Sequence, residues 1–340
     1  MPHPQNKYKE TKMTLWNRRA FSLTALTMAL GCGSLAAAPA FPEAQRPIRV
    51  VVPFSPGGGV DGQARVVAQK LGEILGTTVV VDNRPGAGTL VAAQEVIKAA
   101  PNGYTLFYAA SSTFAQNPHT MKAATYDPQK DFTPLSLGGA GPLVLVVNAT
   151  LPVHSVKELV RYAKSQPGGI SYASFGTGTS AHVFGQVFAQ QQGLDLVHIP
   201  YRGGADMAAD LMTGRVQMAF DAAPAALQNA ATGKVRIIGV AAPQRTALLP
   251  GVPTLAEQGL KNMDLTSWLG WFGPAKLPPE IVKALNSALV KAIADGKVQE
   301  FYRNGAYTAE SSTPEHLASM VRDSYERWGS LVKQAGIPKQ

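Results

Sequence analysis

An alternation of strand-like and helix-like segments, which runs once through the first half of the chain and then restarts, does most to limit the fold. Residues 48–52, 77–81, 105–108 and 143–147 are short apolar, β-branched runs, and 59–75 and 89–99 between them are helical in pattern. In the first of those helices Val60, Ala64, Val67, Leu71 and Leu75 recur at helical spacing. The pattern restarts at 155–165, a helix that Ser155 can cap, and continues with strands at 170–173, 196–199, 216–220 and 235–240. Helices at 181–191, 205–212 and 222–231 separate them. Apolar strands joined by crossover helices make a parallel sheet covered on both faces. Two such series therefore predict two α/β lobes. Residues 269–272 carry the chain back to the first lobe, and the helices opening at Pro278 and at Thr313-Pro314 are expected to cover its sheet. The lobes are placed at 41–147 plus 268–340 and at 148–267, within a chain of 340 residues that is long enough for two cores.

Each series contains a glycine-rich turn where a strand gives way to a helix. The first is Pro53-Phe54-Ser55-Pro56-Gly57-Gly58-Gly59-Val60-Asp61, and the second is Ala173-Ser174-Phe175-Gly176-Thr177-Gly178-Thr179-Ser180. Glycine lets backbone N–H groups turn toward a ligand with no Cβ in the way. The helix that follows adds unpaired donors and the positive end of its dipole. Gly57, Gly58 and Gly176 would supply amides, with hydroxyls from Ser174, Thr177 and Thr179. Ser112, in the polar turn Ser111-Ser112-Thr113, either adds a hydroxyl at the same edge or caps a helix. Two anion-accepting turns, one per lobe, are what a dicarboxylate clamp requires.

Acidic and imidazole groups near these turns have two readings each. Asp61 would repel a carboxylate, so it either favours the helix N-terminus or accepts from a ligand hydroxyl, ammonium or bridging water. Asp221, at the end of a strand, has the same alternatives. His182, in the first turn of its helix, orients the second turn or touches ligand, whereas His198 beside Pro200 reads as a packed residue. A rival reading is a secreted nicotinamide-dependent oxidoreductase, because Gly57-x-Gly59-x-x-Gly62 followed by Asp82 matches the dinucleotide fingerprint. Against it, the glycines follow Pro56 in a longer turn, and an equivalent turn stands in the second half, which one dinucleotide does not need. No G-x-S-x-G elbow or H-E-x-x-H pair occurs, and His119, His154, His182, His198 and His316 lack metal-ligand spacing. The residues thus point to a binder without cofactor or metal, not to an enzyme.

Residues 1–40 read as an export signal. Arg18 and Arg19 precede an apolar stretch from Phe21 to Leu35, and Ala38-Pro39-Ala40 offers a cleavage site. That stretch is shorter than the ~20 residues a membrane-spanning helix needs. Asn17-Arg18-Arg19-Ala20-Phe21-Ser22-Leu23 resembles a twin-arginine motif, and Met13 offers an alternative start with a conventional n-region. Cys32, the sole cysteine, lies in this segment, in a Leu30-Gly31-Cys32 context that departs from a lipoprotein site. The formal charge is +9, of which this segment carries +4, and no basic run with interleaved aromatics marks a nucleic-acid surface. A periplasmic protein, monomeric and without disulfides, is expected.

With these residues in view, the chain resembles the Bug/TctC family of periplasmic receptors for tripartite tricarboxylate transporters, from about Pro47 to Ile337. The resemblance is carried by Pro53-Phe54 with Pro56-Gly57-Gly58 and Asp61, by 82–88, and by Pro101-Asn102-Gly103-Tyr104-Thr105-Leu106. It continues through Tyr126-Asp127-Pro128 with Lys130-Asp131-Phe132, Tyr172-Ala173-Ser174, 198–204, Phe220-Asp221 and 249–254. It implies a type II periplasmic-binding-protein fold, two lobes with parallel-rich sheets joined by crossing strands. It also implies capture of a small organic carboxylate, without chemistry, and its delivery to a membrane permease or presentation to a sensor kinase. In the family the carboxylate is held by main-chain groups of the two turns. That role passes to Gly57, Gly58, Ser174, Gly176, Thr177 and Thr179, and then to Ser112 and Asp221. The chain departs from the family where Phe175 replaces a small residue and Ala222-Ala223 replaces more polar ones. A ring at 175 would stack on an aromatic acid or narrow the pocket.

Overall fold

Two five-stranded sheets are built to one plan. In the first, β1 (Ile48–Val52) lies parallel between β2 (Val79–Asn83) and β3 (Thr105–Ala110). Beyond β3, the late strand β10 (Ser267–Pro274) runs antiparallel between β3 and β4 (Phe132–Gly141). In the second sheet β6 (Ile170–Ser174) lies parallel between β7 (Leu196–Pro200) and β8 (Met218–Ala222). There β5 (Leu143–Asn148) runs antiparallel between β8 and β9 (Val235–Ala241). In each sheet the antiparallel strand is the one that has just crossed from the other lobe. The computed structural model describes residues 41–340 except 44, 202, 203 and 306. The export-signal features at 1–40, Cys32 among them, and Arg202-Gly203 of the family signature lie outside the described residues.

The topology corrects one expected lobe boundary. Residues 143–147 read as the last strand of the first lobe, yet β5 belongs to the second sheet, with Leu143 opposite Ala222 and Val144 opposite Asp221. Every residue of β5 is buried, and an unbroken apolar run has the same pattern in either sheet. The chain therefore crosses at Pro142 and returns at Ser267, which pairs with Gly141.

Among the described residues ten α-helical segments accompany the sheets, one of them a single turn. They are α1 (Gly59–Leu75), α2 (Leu90–Ile97), α3 (Asn117–Thr120), α4 (Val156–Ser165), α5 (Ser180–Gln192), α6 (Gly204–Thr213), α7 (Ala223–Ala231), α8 (Pro279–Ile293), α9 (Gly296–Asn304) and α10 (Pro314–Ala335). Strand alternation sorts the core. Ile48, Val50 and Val52 pack with Val67 and Leu71 of α1 and Leu285 and Leu289 of α8. Val51 points the other way, into a cluster with Ala92 and Val96 of α2. Both faces of the second sheet are covered likewise, by Phe184 and Phe188 of α5 on one side and Met207 and Leu211 of α6 on the other. Ser155 caps α4 as expected, its side chain accepting from the Glu158 amide. Among the described residues no helix is long and apolar enough to cross a membrane.

The last helix departs from expectation. Its first turns cover the first sheet, where Leu317 and Val321 join Phe107 and Trp268. Its later turns carry Trp328, Leu331 and Val332 into the second lobe's core, with Trp328 stacked on Phe184 at 5.3 Å. At 22 residues α10 spans about 33 Å, more than one sheet needs. Its unbroken apolar stripe therefore serves both lobes.

Candidate functional site

Segments that follow β1, β3 and β6 meet between the lobes, at the carboxyl edge where open α/β sheets place ligands. They enclose a cavity of about 520 Å³, within the range typical of small-molecule sites. The first lobe contributes Phe54, Gly88, Thr89, Ser112, Gln116, Asn117, Thr120 and Met121, and the second contributes 175–180. The lobes nearly touch here, since a methyl group built on Gly178 would lie 3.1 Å from Thr120 Cβ. A smaller chamber of about 180 Å³ lies toward the crossing strands, walled by Val60, Pro142, Leu143, Ala222, Ser267 and Tyr307 among others. Phe175 and Ser180 line both spaces.

The second turn is held in shape by its own polar groups. The Ser174 hydroxyl lies 2.7 Å from His198 Nε2 and 3.1 Å from both the amide and the carbonyl of Gly176. Thr179 Oγ1 donates to the Gly176 carbonyl at 2.7 Å. Gly178 N–H donates to His182 Nδ1 at 3.0 Å, which places the imidazole proton of neutral His182 on Nε2. The two imidazoles stack at 4.0 Å. Burial lowers the pKa of His182, while burial and then the neighbouring His182 lower that of His198 to about 4. Both rings are thus neutral near pH 7. Ser174, fully buried, and Thr179 are engaged inside the turn, and His182 accepts from it through Nδ1. The turn borders the cavity with Phe175, Gly176, Thr177, Gly178 and Thr179. α5 begins at Thr179 with no side-chain cap, so its first-turn amides have no partner within the helix.

The first turn is arranged differently. Asp61 is buried, and its carboxylate accepts from Gly57 N–H at 2.8 Å, Arg65 Nε at 2.9 Å and Asn83 Nδ2 at 2.9 Å. Burial alone would raise its pKa, but the hydrogen bonds from Arg65, Gly57 and Asn83 outweigh that and hold it below the ordinary carboxylate value. Asp61 therefore fastens its own turn. Gly57, at φ +82°, gives its amide to that carboxylate, and Gly57 and Gly58 are exposed and line neither cavity. Phe54 is the member of this turn that reaches the larger space. Asp82 of the dinucleotide fingerprint is paired with Arg49 and Arg84, which leaves its carboxylate engaged where a ribose would need it.

Asp221 is buried at the end of β8, with Ala222 N–H donating to it at 2.8 Å. Burial pushes its pKa up to about 6, against that hydrogen bond. The pKa of Tyr307, which lines the smaller chamber, is raised by burial and then by the Asp221 charge.

The structure thus gathers Phe54, Ser112, Phe175, Gly176, Thr177 and Thr179 around one space, with His182 directly behind. It leaves Gly57 and Gly58 outside, and buries Asp61 and Asp221 at its margins. Sequence reading missed Gly88, Thr89, Gln116, Asn117, Thr120, Met121 and Gln340. Thr89 and Asn117 are tied together, Asn117 Nδ2 donating to Thr89 Oγ1 at 3.0 Å. Among the described residues no group of three or more His, Cys, Asp or Glu could hold a metal.

Comparison with known proteins gives a consistent picture. Residues 63–337 match the profile of the tripartite tricarboxylate transporter family receptor, TctC. A UPF0065 protein from the tcbD-tcbE intergenic region of Pseudomonas sp. (strain P51) is 36% identical over 316 residues, 93% of each chain. The periplasmic binding protein BugD is 32% identical, with a TM-score of 0.74 over 87% of this chain and 99% of that one. Rpa4515 of R. palustris, solved with adipate, is 31% identical, with a TM-score of 0.78 over 88% of this chain and 100% of that one. MatC from Rhodopseudomonas palustris, solved with bound malate, is 29% identical, with a TM-score of 0.73 over 86% and 100%.

Proposed function

The chain belongs to the tripartite tricarboxylate transporter receptor family, and from that premise we propose that it captures a small organic carboxylate between its lobes and delivers it to the membrane permease of such a transporter. One observation carries the reading: an interlobe cavity of about 520 Å³ is closed on one side by the uncapped N-terminus of α5. Amides there, with the positive dipole end of a 13-residue helix behind them, suit a carboxylate. The turn is already ordered by Ser174, His182 and His198, so little further ordering is needed on binding. Structural neighbours solved with adipate and with malate support an organic acid as the ligand class.

Closure is the proposed signal. Contacts made by both lobes exist only in the closed form, so a ligand that bridges them shifts the population toward it. The permease then recognises the closed receptor. We read the chain as a monomeric periplasmic receptor, exported by its first forty residues, and not as an enzyme. Its buried Ser174, hydrogen-bonded to half-buried His198, orders a turn where an exposed nucleophile would be needed for acyl chemistry.

Calorimetry of the purified protein against a panel of mono-, di- and aromatic carboxylates tests this directly. One carboxylate bound per chain, with neutral sugars and cationic amines inert, is the expected result. Binding confined to sugars or amines would end the carboxylate reading.

A further inference from the structure

The lining of the larger cavity says more about the ligand than its class. Phe54 and Met121 enter from the first lobe and Phe175 from the second, and all three large apolar side chains are only partly buried. The Phe175 ring is backed by α6, where a methyl group on Gly204 would lie 3.6 Å from its Cε1. Because Phe175 also lines the smaller chamber, it stands with Ser180 between the two spaces and is the larger side chain of the two. Val60, Ala110, Leu143 and Leu269 make that smaller chamber apolar as well.

From this arrangement we infer that the ligand is a carboxylate with an apolar body, an aromatic ring or a short alkyl chain, seated against Phe54, Met121 and Phe175, and that Phe175 limits the body's length. The inference rests on the reading that the cleft binds a carboxylate. The carboxylate takes the amide donors of the second turn, and the remaining space favours removal of apolar surface from water. A compact hydroxylated acid meets the polar part of the lining, Ser112, Gln116 and Thr177 among it, but leaves the apolar surface of Phe54, Met121 and Phe175 facing water. Removing the ring at 175 joins the smaller chamber to the larger and admits a longer body.

Calorimetry with benzoate, hexanoate, decanoate and malate, on the wild-type protein, Phe175→Ala and Phe175→Leu, tests it. Benzoate and hexanoate are expected to bind the wild type at least about tenfold more tightly than malate. Phe175→Ala should weaken benzoate by about three- to tenfold, the value of one aromatic contact, and shift the alkyl preference from hexanoate toward decanoate. Phe175→Leu, which keeps an apolar wall, should retain hexanoate and guards against a misfolded alanine variant. Malate bound more tightly than benzoate and hexanoate overturns the apolar-body inference and leaves the carboxylate reading standing. An alkyl preference unmoved by Phe175→Ala overturns the role of that ring. If none of the four acids binds, the apolar-body inference falls, and the carboxylate reading is decided by the wider panel of mono-, di- and aromatic acids against sugars and amines.

Discussion

Asp61 and Asp221 are both buried carboxylates beside the cleft, and their surroundings drive them in opposite directions. Asp61 has three donors, and its charge is matched by Arg65. Asp221 has the Ala222 amide, and burial leaves its pKa at about 6. The folded state therefore keeps a proton on Asp221 that the unfolded chain loses near pH 4, so this group's contribution to stability falls as pH rises from about 4 to about 6. The shift corresponds to an order of magnitude of about 3 kcal/mol. Asp221→Asn should accordingly stabilise the protein by about 2–3 kcal/mol at pH 8 and leave it nearly unchanged at pH 4, measured by urea unfolding at the two pH values. An equal effect at both would contradict the account. The stacked His182 and His198 run the other way. Their folded pKa values lie below the ordinary one, so their contribution is present near pH 7 and is lost as pH falls from about 6.5 toward 4. Comparing the variant with the wild type at each pH removes that background.

Among the elements, α10 does most to couple the lobes. It leaves one core at Val321 and enters the other at Trp328, whose ring stacks on Phe184. Trp328→Ala is expected to cost about 3–5 kcal/mol, as for other buried aromatic truncations. The second lobe should open first, seen as early loss of hydrogen-exchange protection in α5 while α1 stays protected. Simultaneous loss in both helices would contradict a role divided between two cores. The stripe of α10 was legible in the sequence, but its destination was not, because apolar spacing marks a buried face without saying what covers it. The same limit explains β5, whose continuous burial fits either sheet. The position of the two glycine turns at strand-to-helix junctions is legible in the sequence, but not that Gly57 gives its amide to Asp61 and, with Gly58, lines neither cavity. Thr120, Met121 and Gln340 were not legible, since nothing local marks them. They reach the cavity through tertiary pairing, with Gln340 N–H donating to the Thr120 carbonyl and Lys122 N–H to the Gln340 carbonyl. Asp61 can be read two ways in the sequence, and neither reading names the Gly57, Arg65 and Asn83 donors that its carboxylate accepts from, because Asn83 reaches it only through the pairing of β1 with β2.

For the whole molecule, the proposed function is a shared grip. Two sheets of one plan exchange their antiparallel strands, and this puts the carboxyl edges of β1, β3 and β6 around a common space. The second turn lines this space from one side, Phe54, Ser112 and Asn117 line it from the first lobe, and Gly178 against Thr120 brings the halves together; in the proposed function the turn's amides hold the carboxylate. A ligand held by both sides lowers the free energy of the closed form alone. The decisive measurement is a crystal structure of the protein with whichever carboxylate calorimetry identifies. Carboxylate oxygens should lie about 2.7–3.1 Å from amides within 176–181, with the rest of the ligand touching first-lobe residues of the cavity. A carboxylate bound outside this space, or held by one lobe without the other, would contradict it.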